Sequence, residues 1–120
     1  MIPTRLLLLL AAMFALAAPA AAQKRIALSF DDVPRTAGTF MTPQQRSERL
    51  IAALRTARVP QAAFFINPGN LQQPWGAGRE GQIAAYVRAG HVIGNHSFSH
   101  PHLSEIGAAA FVANIDQAAS

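Results

Sequence analysis

Ala62-Ala63-Phe64-Phe65-Ile66 is an apolar run with no polar interruption, and Asn67-Pro68-Gly69-Asn70 breaks it at once. So short a run between turn residues reads as a strand buried on both faces, as in parallel sheets. Upstream, Ile26, Leu28 and Phe30 alternate with smaller or polar residues, which predicts a strand over 26–30 stopped by Asp31, Asp32 and Pro34. A helix begins between the two strands. Thr42 is its N-cap, Pro43 takes the first helical position and Gln45 completes a capping box. Leu50, Ile51, Leu54 and Ala57 line one face before Val59-Pro60 ends it.

Downstream, a Gly/Gln-rich loop holding Pro74-Trp75-Gly76 leads to a helix over 80–89, with Ile83, Tyr86 and Val87 inward and Gly90 as its stop. A third strand is expected at 91–93, ending at Gly94-Asn95. Ser104 is the expected cap of a third helix carrying Ile106, Phe111, Val112 and Ile115. The order is therefore about three βα units, an α/β class with right-handed crossovers and a parallel sheet. Sites in such folds gather at the carboxyl ends of the strands. Asp31 and Asp32, Asn67 and His96 each follow a different strand, so three segments meet at one rim.

Composition narrows the rest. Among 120 residues there is no cysteine, so a thiolate metal site is excluded and any ion must take His and carboxylate ligands. The formal charge of +4 comes from dispersed basic residues with no Lys/Arg run, which gives no support for nucleic-acid binding. Arg5, an apolar run over 6–18 and Ala20-Ala21-Ala22 form the layout of a secretory signal peptide cleaved after Ala22. A helix over that run is about 20 Å long, short of the ~30 Å hydrocarbon core, which argues against stable membrane insertion. The expected product spans 23–120 and is exported, periplasmic or secreted.

His96 and His100 are four residues apart and can face one ion from a loop or single turn, since Pro101 limits any helix. Taken alone, they also read as surface histidines, and Asp-Asp before a Pro is a common turn composition. Together, two imidazoles and a carboxylate leave a coordination position open for water, the arrangement of catalytic rather than structural sites. The second aspartate is then free to act as a general base.

These residues also carry a family resemblance. Ser29-Phe30-Asp31-Asp32-Val33-Pro34 resembles the first motif of the polysaccharide deacetylases, carbohydrate esterase family 4 or the NodB-homology domain. The stretch from Gly90 through Asn95-His96-Ser97-Phe98-Ser99-His100-Pro101 resembles the second, and 62–66 resembles that family's second strand. The likeness covers about residues 25–115. It implies a partial (β/α) barrel, Asp31 as general base, Asp32, His96 and His100 as metal ligands, and Ser97 as a hydroxyl shaping the metal loop. The implied ion is Zn2+, or Co2+ or another divalent ion. The implied reaction is hydrolysis of N-acetyl, or O-acetyl, groups on a glycan such as chitooligosaccharide or peptidoglycan.

Two departures stand out. Val33 occupies a position where the family has Gly, which implies a reshaped loop after Asp32. The family's later motifs, including the Leu-x-His that supplies the acid for the leaving amine, lie outside this sequence. The chain therefore reads as the N-terminal, truncated part of the domain, with an unpaired sheet edge and exposed helix faces. The alternatives are a non-catalytic metal- or glycan-binding remnant, and a non-haem iron oxygenase built on a two-His, one-carboxylate triad.

Overall fold

The computed structural model describes residues 24–120; the expected signal segment and its cleavage point lie outside them. Three parallel strands, β1 (Ser29–Val33), β2 (Ala63–Ile66) and β3 (Val92–Asn95), pair in the order β1-β2-β3. Helix α1 (Pro43–Thr56) joins β1 to β2, a 3-10 turn (Pro68–Gln72) and α2 (Glu80–Arg88) join β2 to β3, and α3 (Leu103–Gln117) follows β3. The α/β class and the parallel sheet are as the pattern predicts. Among the described residues, no helix is long and apolar enough to cross a membrane.

The expected capping box is present. Gln45 N donates to Thr42 Oγ1 at 3.2 Å, Thr42 N donates to Gln45 Oε1 at 3.0 Å, and Pro43 opens α1. The helix ends sooner than its apolar pattern, so Ala57 is its exposed C-cap and not part of the buried face. At the end of α2, Gly90 adopts φ 91°, as a left-handed stop requires.

The core is an aromatic stack that crosses the layers. The Phe30 and Phe64 ring centroids lie 5.0 Å apart, and those of Phe64 and Tyr86 lie 3.8 Å apart. Phe64, on the central strand, has no exposed surface. Burial of such a side chain contributes about 1.5–3 kcal/mol, and each stacked pair adds ~0.5–1.5. Tyr86 also donates its hydroxyl to buried Ser47 Oγ at 3.0 Å, which fixes α2 against α1.

Several boundaries differ from expectation. Strand β1 runs over 29–33 and not 26–30, and Ile26 lies before it and is exposed. Strand β3 extends through Gly94, whose missing Cβ makes room for the Phe65 ring: a Cβ there would lie 2.5 Å from Phe65 Cδ1. The N-cap position of helix α3 is His102, not Ser104, and the helix kinks at Gly107 (φ 78°, ψ 164°). Val87, expected inward, is exposed, since only Tyr86 is buried in α2. Val92 and Ile93 on β3, with Ile106, Val112 and Ile115 on α3, are exposed large apolar residues, the uncovered edge and helix face foreseen for a partial barrel.

Candidate metal centre

All three strands deliver residues to one rim, each by a different local device. In β1 the ladder slips between Phe30, paired with Phe64, and Val33, paired with Ile66, so Asp31 and Asp32 occupy an irregularity of the strand itself. They do not form a turn beyond it. Asp32 carries the positive φ, 59°, a region that Asp tolerates better than a β-branched residue does. Val33 remains in the strand, half-buried and packed against the core. The reshaping implied by Val33 is thus absorbed one residue earlier.

At the end of β3, His96 N donates to Ile66 O at 3.0 Å, so the first histidine still sits on the sheet's edge. The chain then turns through Ser97 (φ 63°) and His100 (φ 57°). Asn95 Oδ1 accepts from Ser97 N at 2.8 Å, and Ser97 Oγ accepts from His100 N at 3.1 Å. That pair of bonds folds a four-residue spacing back on itself without a helix. The His96 and His100 ring centroids come to 4.8 Å. The expected loop-shaping role of Ser97 is visible in these contacts.

The end of β2 ties the two together. Asn67 is 1% exposed, and its Nδ2 donates to both His96 O and, at 3.2 Å, Ser97 O. On the far side of the loop, Asn114 Oδ1 accepts from Phe98 N at 2.9 Å and from Ser99 N at 3.1 Å. The sequence places Asn67 at the rim without giving it a role, and it gives no sign of Asn114. Asn67 reads as a turn former beside Pro68, and Asn114 as an ordinary helical polar residue. The only signal was the place of Asn67 at a strand's carboxyl end.

Asp32, His96 and His100 offer ligand atoms that all lie within 4.8 Å of one another. Asp32 Oδ1 is 3.3 Å from His96 Nε2 and 3.6 Å from His100 Nε2. Asp32 Oδ2 instead faces Arg35 Nη1 at 3.6 Å. This donor set, two imidazole nitrogens and one carboxylate oxygen converging from an open rim, suits a divalent ion that keeps a position for exchangeable ligands.

Asp31 is not among those converging groups. It is exposed and lines a cavity of about 370 Å3 beside Arg46, Phe64 and Tyr86. Asp32 and His100 instead border a cavity of about 230 Å3 with Asn70 and Trp75. His91 is buried and accepts a hydrogen bond from Ala62 N at 3.3 Å through Nδ1, a packing role. His102 occupies the N-cap position of α3 without a side-chain capping bond, its ring centroid 6.3 Å from that of His100.

Comparison with known proteins agrees with this fold. The structure of peptidoglycan deacetylase PdaC from Bacillus subtilis superposes with a TM-score of 0.59 at 26% identity, covering 81% of this chain and 41% of that one. The chain thus spans less than half the length of that neighbour. A search of curated proteins finds no match. The family described as polysaccharide deacetylase matches residues 18–120. On that match the chain belongs to the polysaccharide deacetylase family.

Proposed function

We propose that this chain supplies the metal-holding part of a hydrolase that removes acetyl groups from a glycan, acting on the carbon–nitrogen bond of an N-acetylated sugar. The observation that carries the proposal is the convergence of Asp32 Oδ1, His96 Nε2 and His100 Nε2 from two strand ends. In this reading Asp32, His96 and His100 hold a divalent ion, Zn2+ by preference. When bound, such an ion supplies Lewis acidity at the acetyl carbonyl and at water.

The chain's own residues do the remaining work. Asp31 is the proposed acceptor of the proton from the attacking water; it is exposed and adjacent to Asp32 but lines the neighbouring cavity, from which it must reach that water. Asn67 and Ser97 keep the histidine loop in register, so the imidazoles need not reorganise when substrate arrives. The half-buried Trp75, on the wall shared with Asp32 and His100, offers an apolar face to a sugar ring. Protonation of the leaving amine falls to a residue outside the described segment, because His91 is engaged by Ala62 and His102 sits at a helix start. Full turnover is therefore proposed for the protein in which this segment is joined to the rest of the barrel. Export with cleavage after Ala22 belongs to the same proposal, since cell-wall and chitin-type glycans lie outside the cytoplasm.

Acetate release from N-acetylated chitooligosaccharide and from peptidoglycan fragments tests the reading, using full-length protein with and without Zn2+. Release that a chelator abolishes and Zn2+ restores supports it. Release that persists after complete chelation contradicts the metal role, and metal binding with no release from either glycan contradicts the deacetylase role.

A further inference from the structure

The backbone that follows Asp32 is held at three consecutive carbonyls by side chains from three different places. Asn70 Nδ2 donates to Pro34 O at 3.0 Å from the 3-10 turn. Arg79 Nη1 donates to Arg35 O at 3.0 Å from the loop before α2, and Arg46 Nη2 donates to Thr36 O at 3.2 Å from α1. Arg79 is itself seated over the Trp75 ring, with Cζ 5.8 Å from the centroid. The Arg35 side chain projects from the middle of this clamp. Its Nη1 lies 3.6 Å from Asp32 Oδ2, while Asp32 Oδ1 faces the two histidines. The two oxygens of one carboxylate thus have separate partners.

We propose that Arg35 is a positioning residue, which occupies Oδ2 so that Asp32 presents Oδ1 alone to a cation shared with His96 and His100. This rests on the metal-centre reading above. A carboxylate can bind an ion through one oxygen or both. With a guanidinium at Oδ2, rotating that oxygen toward the ion draws a second positive charge toward it, which Coulomb repulsion opposes. An exposed ion pair has a weak hold by itself. Here the clamp on carbonyls 34–36 fixes where the guanidinium starts, so less of that hold is spent on ordering the chain. One carboxylate oxygen and two imidazoles keep a position open, as a catalytic site requires.

Co2+ is the probe, bound to full-length protein and read by its visible d–d absorption, which weakens as coordination number rises above four. Arg35→Ala releases Oδ2 to the ion, and the absorption per bound Co2+ is expected to fall by about twofold or more. Arg35→Lys returns a cation to Oδ2 and is expected to keep most of the unmodified intensity. Circular dichroism on each variant checks that the fold is retained, as expected for an exposed side chain. An Arg35→Ala spectrum identical to the unmodified one, or a Lys variant that behaves like the Ala variant, overturns the positioning role. Absence of Co2+ uptake by the unmodified protein overturns the metal-centre reading itself, so the two failures are distinct.

Discussion

Replacing Asn67 tests how the histidine loop is held. Its Nδ2 is the donor to the carbonyls of His96 and Ser97, and the residue is 1% exposed. In Asn67→Ala both carbonyls lose that donor. A buried acceptor left without a partner costs ~1–3 kcal/mol. The His96 contact is only part-buried, so water recovers some of its share, and the expected loss is about 2–3 kcal/mol in total. Because the loop carries both imidazoles, Zn2+ affinity should also fall, by roughly 10- to 100-fold, as for other outer-shell partners of a metal site.

Asn67→Asp sharpens the test. It keeps the shape but replaces the donor with an acceptor that faces two carbonyls, so near neutral pH it should cost more than Asn67→Ala. Burial pushes such a carboxyl up, so the folded variant retains a proton that the unfolded chain releases. Its residual stability is therefore fully present below the unfolded carboxyl's pKa and is lost as pH rises through the higher folded value. Urea unfolding of the full-length variants across pH, with Zn2+ competition titrations, reads both effects. An Asn67→Ala protein within about 0.5 kcal/mol of the unmodified one, at unchanged Zn2+ affinity, would refute the stitching role.

Two further substitutions separate site from scaffold. A Cβ on Gly69 would lie 2.6 Å from Phe98 O, a backbone atom of the histidine loop that cannot swing aside, so Gly69→Ala should cost ~1–3 kcal/mol and displace the loop. Thermal unfolding and Zn2+ affinity should both report it, and an unchanged affinity would mean that the loop accommodates the methyl group. Tyr86→Phe removes the hydroxyl bound to buried Ser47, with an expected loss of ~0.5–1.5 kcal/mol in urea titration. Its Zn2+ affinity should match the unmodified protein, because the α1–α2 contact lies away from the triad.

The βα order, the parallel sheet and the histidine pair are legible because each leaves a local mark, whereas the choice of Asp32 over Asp31 rests on the family resemblance. Phe64 sits in an unbroken apolar run, Thr42 and Gln45 form a capping box, and His96 and His100 have ligand spacing. The strand ends placed too early, those of β1 and β3, share one physical cause. Asp31 and Asp32, and likewise Gly94 and Asn95, are turn formers by composition, yet the ladder continues through them. Strand ends that carry a site sacrifice strand propensity for function, so local reading stops the strand too early. Arg35, and the role of Asn67 at the rim, escape sequence reading for a different reason. Their meaning lies in partners about 30 residues away, or in the split environment of one carboxylate, neither of which leaves a periodic trace.

The central claim is that Asp32 is a ligand while its neighbour Asp31 is not. Equilibrium Zn2+ competition against a chelating indicator tests it directly on unmodified, Asp32→Ala and Asp31→Asn proteins. Loss of the ligand in Asp32→Ala should weaken binding ~10-fold or more, beyond the loss of an outer-shell partner. Asp31→Asn should leave the affinity unchanged while stopping acetate release by the full-length protein. Equal loss of Zn2+ affinity in the two variants, or none in Asp32→Ala, would contradict the account.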